Sequence, residues 1–379
     1  MKIELLLNTS KMNVLLILSV LSILAGCQKE DDFQKIHEIS LVIPYQDVRW
    51  GDLRKAELDS ALIKTISFNE STIWPDQFKP IAINLLSRAK NPGLGIRALH
   101  QQGITGKGVG VAIIDQNICL DHPEYFNKIK QYKDVGCGQP ANSSSFHGPA
   151  VASLLVGDSI GTAPDATLYF VAAPSWTKDA RFQADALNWI LDKNLTLPEG
   201  EKIRAVSISA APSGPGSPFT KNNALWDAAY SRAVDQGVLV IDCTRDHGIT
   251  YPAFSDIEDP ENVSKYTAGF PGISPVIDQN RICVPNSLRT IAEQFNKGEY
   301  SYCYTGRGGL SWAEPYLVGV LALGWQLKPN ITGDEMIRLI FESAYVGENG
   351  AKMINPAAFI ESVNAFSHLE NKMNNLKMK

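Results

Sequence analysis

Three side chains of the kinds that cooperate in nucleophilic catalysis stand where the chain changes character. Asp115 closes the apolar run Val109–Ile114. His147 follows thirty-two residues later and opens a stretch of small residues, Gly148-Pro149-Ala150-Val151-Ala152-Ser153. Ser311 comes after Gly308-Gly309-Leu310 and leads into Trp312-Ala313-Glu314-Pro315. A serine hydroxyl is a weak nucleophile until a base takes its proton. An imidazole can be that base, and a carboxylate can fix the imidazole in the required tautomer. The glycines before Ser311 permit tight dihedrals, and N–H groups at a helix start can help hold an oxyanion. Singly, each residue has a plainer use: Asp115 in a turn, His147 or Ser311 as a helix cap.

The elements that must position these groups are legible as short apolar runs. Val109–Ile114, Leu168–Ala173, Ala205–Ile208 and Val238–Ile241 read as strands buried on both faces. Helical patterns lie near Gly148–Val156, Ala180–Leu191, Asn222–Asp235, Ser311–Leu327 and Thr332–Ala344. Strands alternating with helices predict an α/β fold with a mostly parallel sheet and right-handed crossovers. The glycines of Gly106-Lys107-Gly108-Val109-Gly110 precede the first of these strands. A dinucleotide cradle needs them after it, at a helix start, so nucleotide binding is not expected. Residues 28 to about 95 are mixed, with an apolar stretch at Ile39–Tyr45, a helical pattern near Leu53–Ile66, then Trp74-Pro75 and Asn91-Pro92-Gly93. They read either as a small pro-segment or as an extension that wraps the body.

The order Asp, His, Ser, with three local motifs, resembles the subtilisin-like serine peptidases. The motifs are the HisGly-x-x-ValAla helix at His147, the turn Gly161-Thr162-Ala163-Pro164-Asp165-Ala166 and the helix start Gly309-Leu310-Ser311-Trp312-Ala313-Glu314-Pro315. The resemblance covers roughly Gly103 to Asn364. It implies a three-layer α/β fold, helices on both faces of a central sheet, and a serine endopeptidase working through an acyl-enzyme on Ser311. His147 would be the base and Asp115 its orienting partner. Domains are expected at 1–26 (leader), 27–95 (extension or pro-segment), 96–364 (peptidase) and 365–379 (polar tail). The resemblance implies a peptide or protein substrate, a monomer and no organic cofactor. Calcium is common in the family, but no acidic loop here supports a metal site.

Ser207-Ile208-Ser209-Ala210-Ala211-Pro212 resembles the family's edge strand that pairs with an extended substrate. Ser209, Ala210 and Ala211 are therefore the expected substrate-binding residues. The family's side-chain amide for the oxyanion is missing: counting from Gly237, its asparagine position falls on Asp246. An ionised carboxylate there repels an oxyanion and a protonated one can donate to it. Arg245 or Thr244 would be the alternative donors. Loss of one such donor typically costs about 2.7–4 kcal/mol. The alternative reading is therefore a pseudo-peptidase, a peptide-binding module without efficient turnover. Glu314 stands where a small residue is usual and would favour basic or small side chains nearby.

Composition sets the outer bounds. The chain has 379 residues, 44% hydrophobic and 20% charged, with 35 basic against 40 acidic side chains. These values exclude a disordered or collagen-like chain, and no basic stripe offers a footing for nucleic acid. Residues 12–26 form an apolar run too short for a comfortable membrane span and suited to a signal-peptide core. It ends in Leu24-Ala25-Gly26-Cys27, which resembles a bacterial lipobox. Cys27 would then carry lipid and tie the protein to the cell envelope, and the following Gln28–Asp32 resembles an acidic surface-export tether. Five further cysteines are an odd number, so at least one lacks a partner in the chain. Proximity in sequence favours Cys119 with Cys137 and Cys283 with Cys303.

Overall fold

The computed structural model describes residues 34–138, 143–214, 217–244, 247–255, 257–271 and 273–377. The expected leader, Cys27, Arg245 and Asp246 lie outside the described residues.

The first part of the chain makes short pieces: strands β1 (His37–Glu38) and β2 (Gly51–Asp52), helix α1 (Ser60–Ile63), strand β3 (Phe68–Asn69), and helices α2 (Lys79–Arg88) and α3 (Ile96–Gln101). The helix expected over Leu53–Ile66 is thus a single turn, and the reason lies in backbone pairing. Leu53 N–H donates to Ile73 O at 2.8 Å and Ile73 N–H to Gly51 O at 2.9 Å, which commits the start of the segment to extended chain. Asp59 then caps the one turn, accepting from Leu62 N–H at 2.8 Å. Leu53, Ile63 and Ile66 are nonetheless buried.

The body begins with β4 (Gly110–Asp115) and β5 (Ile129–Asp134), followed by helix α4 (His147–Val156), β6 (Thr167–Ala172), helix α5 (Arg181–Thr196), β7 (Ile203–Ile208), helix α6 (Asn223–Asp235) and β8 (Leu239–Asp242). The five strands form one parallel sheet in the order β5-β6-β4-β7-β8. Successive side chains of a strand point to opposite faces, and here both faces are covered. Val111 and Ile113 join one core, with α4; Ala112 and Ile114 join the other, with α5 and α6. This is the α/β fold with a parallel sheet read from the apolar runs, in the three-layer form that the resemblance implied.

A second sheet and a hairpin complete the body. In chain order come β9 (Thr250–Phe254), β10 (Thr267–Ala268), β11 (Ile282–Pro285), β12 (Arg289–Asn296), β13 (Glu299–Thr305), helices α7 (Ala313–Leu327) and α8 (Gly333–Glu342), β14 (Tyr345–Val346), β15 (Lys352–Met353) and helix α9 (Pro356–Lys377). The second sheet runs β10-β9-β11-β15-β14, and the hairpin sheet runs β12-β13-β3. Helix α7 is apolar all round because it is buried from Ala313 to Trp325. Thr332 and Glu335 close a capping box at the start of α8. The stretch expected as a polar tail, 365–379, falls largely within the backbone of α9.

Two further expectations change. The five cysteines of the described chain are free thiols. Cys283 lies on β11 and Cys303 on β13, in different sheets, so nearness in sequence does not bring them together. Cys119 and Cys137 are each buried but unbridged. Among the described residues no helix is long and apolar enough to cross a membrane.

Candidate active site

Asp115 is the last residue of β4, at the carboxyl edge of the parallel sheet where α/β folds leave a crevice for ligands. The N–H of Gln116 donates to its Oδ1 at 2.8 Å. His147 is the first residue of α4, and the glycine after it explains why the helix comes so close. A Cβ on Gly148 would lie 2.6 Å from Gln116 O and 2.8 Å from Asn117 O, so only glycine lets the helix start press on the end of β4. The result is a bond of 2.7 Å between His147 Nδ1 and Asp115 Oδ1. The aspartate side chain is 4% exposed and the histidine 12%, so the pair is shielded yet its outer edge is reachable.

Ser311 is delivered from another direction. Gly308 has φ +63°, and a Cβ there would collide with Asn286 O. The Gly309 N–H donates to the same carbonyl at 3.0 Å, and one 3-10 turn, Leu310–Trp312, then leads into α7. The Trp312 ring lies 5.3 Å from the His147 ring, tilted by 31°, and meets Phe146 edge-on at 6.5 Å. The Trp312 contact brings the turn that carries Ser311 up to the His147 ring, and among the described residues no hydrogen bond joins Ser311 Oγ to the imidazole. Apo sites often tighten this bond only around substrate.

Ser209 and Ala210 follow β7 and line a small cavity with Asp115 and His147. Ala211 does not: its side chain is buried in the second core. The base of the cavity holds two residues that sequence reasoning missed, Ser175 and Gln183. Ser175 Oγ and Gln183 Oε1 are buried without a hydrogen-bond partner among the described residues. Ser175 opens a 3-10 turn and Gln183 lies on α5, and neither has a motif of its own.

Thr244 cannot serve as an oxyanion donor in this conformation. Its N–H and Oγ1 both point inward to Asp242 Oδ1, at 2.8 and 2.6 Å. Burial raises the Asp242 carboxyl above its ordinary range even with those two donors. Glu314 is buried behind it and does not face a groove, which corrects the specificity role expected for it. Its Oε1 accepts from Thr250 Oγ1 at 2.8 Å, and burial pushes its carboxyl up to about 8, so it is mostly neutral at pH 7. Arg281 donates to the carbonyls of Thr250 and Thr244, each at 2.9 Å. These contacts anchor both ends of the segment that carries Arg245 and Asp246.

The pattern of the subtilase family, peptidase S8, matches residues 106–368, well over half of the chain. The chain belongs to the subtilase family. Among curated subtilases it is similar to the subtilisin-like protease PopC of Myxococcus xanthus, at 26% identity over 286 residues, covering 66% of this chain and 58% of PopC. It is also similar to M-protease of Shouchella clausii, at 26% identity over 326 residues, covering 80% of this chain and 74% of that protein. A solved chain of subtilase cytotoxin SubAB superposes with a TM-score of 0.55 at 17% identity, covering 75% of this chain and 98% of that one. That likeness speaks for the subtilase fold alone. Among the described residues no three His, Cys, Asp or Glu side chains of this subtilase gather as a metal site.

Proposed function

We propose that this subtilase is a serine endopeptidase using Asp115, His147 and Ser311, and that the carrying observation is the 2.7 Å bond from His147 Nδ1 to Asp115 Oδ1 beside the Ser311 turn. With Nδ1 carrying the proton given to Asp115, Nε2 is left free to accept one. Ser311 Oγ then attacks the peptide carbonyl carbon while Nε2 takes its proton, and Asp115 stabilises the imidazolium. Collapse of the tetrahedral intermediate breaks the C–N bond as His147 returns the proton to the leaving amine. Water, activated by the same imidazole, hydrolyses the acyl-enzyme. The Ser311 backbone N–H would be a donor for the developing oxyanion. A peptide would pair in extended form along Ser209 and Ala210, whose cavity borders the triad.

The leader and Cys27 place the enzyme on the cell envelope in this reading, held by lipid, with only the anchor in the membrane. Labelling with a fluorophosphonate probe tests the triad: the wild type should label, and Ser311→Ala and His147→Ala should not. Release of the protein from membranes by Cys27→Ala tests the anchor.

A second reading, a peptide-binding module, draws on the unbonded Ser311 hydroxyl and the inward turn of Thr244. A folded wild type that binds peptides but neither labels nor cleaves them would favour it.

A further inference from the structure

Residues 34–95 are built into the body. In β3, Phe68 pairs with Tyr304 and Asn69 with Cys303 of β13. Phe68 packs edge-on against Trp74 at 4.9 Å and at a tilt against Tyr304 at 5.1 Å, in a core that also takes Ile257 from the body. Thr290 N–H donates to Ala89 O at 2.9 Å, and Lys64 and Arg88 both pair with Glu258. Among the described residues, none of 34–95 lines the cavity beside Asp115 and His147. An inhibitory pro-segment must occupy the cleft and then leave. Removal of residues 34–95 would instead uncover a shared core.

Arg49 of this segment reaches the residue next to His147. The Arg49 guanidinium lies 4.0 Å over the Phe146 ring, and Phe146 immediately precedes His147 and meets Trp312. Its fork is fixed from the other side: Nη1 donates at 3.0 Å to Glu293 Oε1, and Nε and Nη2 bond Asp47. Glu293 is 1% exposed, and its Oε2 accepts from Asn69 Nδ2 at 2.8 Å and from Ser301 Oγ at 2.9 Å. A planar cation held in this way on an aromatic face restricts that ring, and the ring in turn restricts the helix start carrying the histidine.

We propose that residues 34–95 are a permanent part of the active enzyme and that Arg49 is a positioning residue, holding the stack of Phe146, Trp312 and His147 in register. The proposal rests on the peptidase reading for its kinetic consequence, though not for its structural one. Arg49→Lys keeps a cation for Glu293 but loses the planar face. The pair Arg49→Met with Glu293→Gln removes the stack without leaving a buried charge alone.

Three measurements on the full chain test it. Intact mass of the fluorophosphonate-labelled wild type should include residues 34–95. In both variants kcat per titrated site should fall by about tenfold or more with KM unchanged. Hydrogen exchange in the peptide spanning 144–153 should quicken relative to wild type. An active labelled species that begins after residue 95 overturns the proposal. So does wild-type kcat with wild-type exchange in either folded variant. The exchange comparison needs no turnover, so a wild type that fails to label would count against the peptidase reading while still deciding the role of Arg49.

Discussion

At the residue scale, the chemistry depends on which groups carry protons. Asp115 accepts from His147 Nδ1, so Asp115→Asn would leave an amide that favours the wrong tautomer. We expect kcat to fall by roughly 10⁴ with the fold intact, measured by peptide turnover beside a thermal melt. Glu314 gives a second prediction. Its carboxyl rises from the ordinary 4.5 to about 8 on folding, chiefly through burial, so the folded protein holds that proton more tightly than the unfolded chain. Its contribution is complete below about pH 4.5 and is lost as pH rises towards 8, with a slope of about 1.4 kcal/mol per pH unit. Glu314→Gln keeps an acceptor for Thr250 and cannot ionise. Urea titrations between pH 5 and 8 should show the wild type losing stability more steeply than the variant. Equal slopes would show that Glu314 does not titrate in this window.

At the scale of elements, Gly148 and Gly308 set where the proposed catalytic side chains are delivered. Gly148 lets α4 press against the end of β4, and a methyl group there would sit 2.6 Å from Gln116 O. Gly148→Ala should push the helix back, and a misplacement of about 1 Å in a catalytic group can cost about 10² in rate. A near wild-type kcat for that variant would show that the helix yields without moving His147. The elements themselves were mostly readable: β4, β6, β7 and β8 fall on the apolar runs, and α4 to α8 on the periodic segments. The misread helix over Leu53–Ile66 shows the limit of that signal. Its apolar residues are buried, but the hydrogen bonds of Leu53 and Ile73 are made between distant segments, and no local pattern encodes such a pairing.

At the scale of the molecule, residues 34–95 and the peptidase body share a sheet and a core. Phe68, fully buried where they meet, is a probe of that union. Phe68→Ala should cost about 3–5 kcal/mol. It should lower a single thermal transition; two separate transitions in the wild type would mean that the halves unfold independently. The five free thiols give another expectation: reducing agents should leave the melting temperature unchanged. A drop on reduction would reveal a disulfide bridge.

The sequence by itself determined the class of fold and pointed to Asp115, His147 and Ser311, in that order, as the proposed triad. Buried parallel strands need continuous apolar runs, and catalysis by serine needs a base and an orienting carboxylate, so both leave marks along the chain. The substrate side was only half legible: Ser209 and Ala210 meet the cavity, while Ala211 turns into the core because consecutive side chains leave a backbone in different directions. Thr244 and Glu314 looked available from their places in the motifs. Tertiary structure turned both inward, because buried polar groups must find partners close at hand, and these found Asp242 and Thr250. The tie from Arg49 to Phe146 joins residues nearly a hundred positions apart, and only folding brings a guanidinium onto that ring.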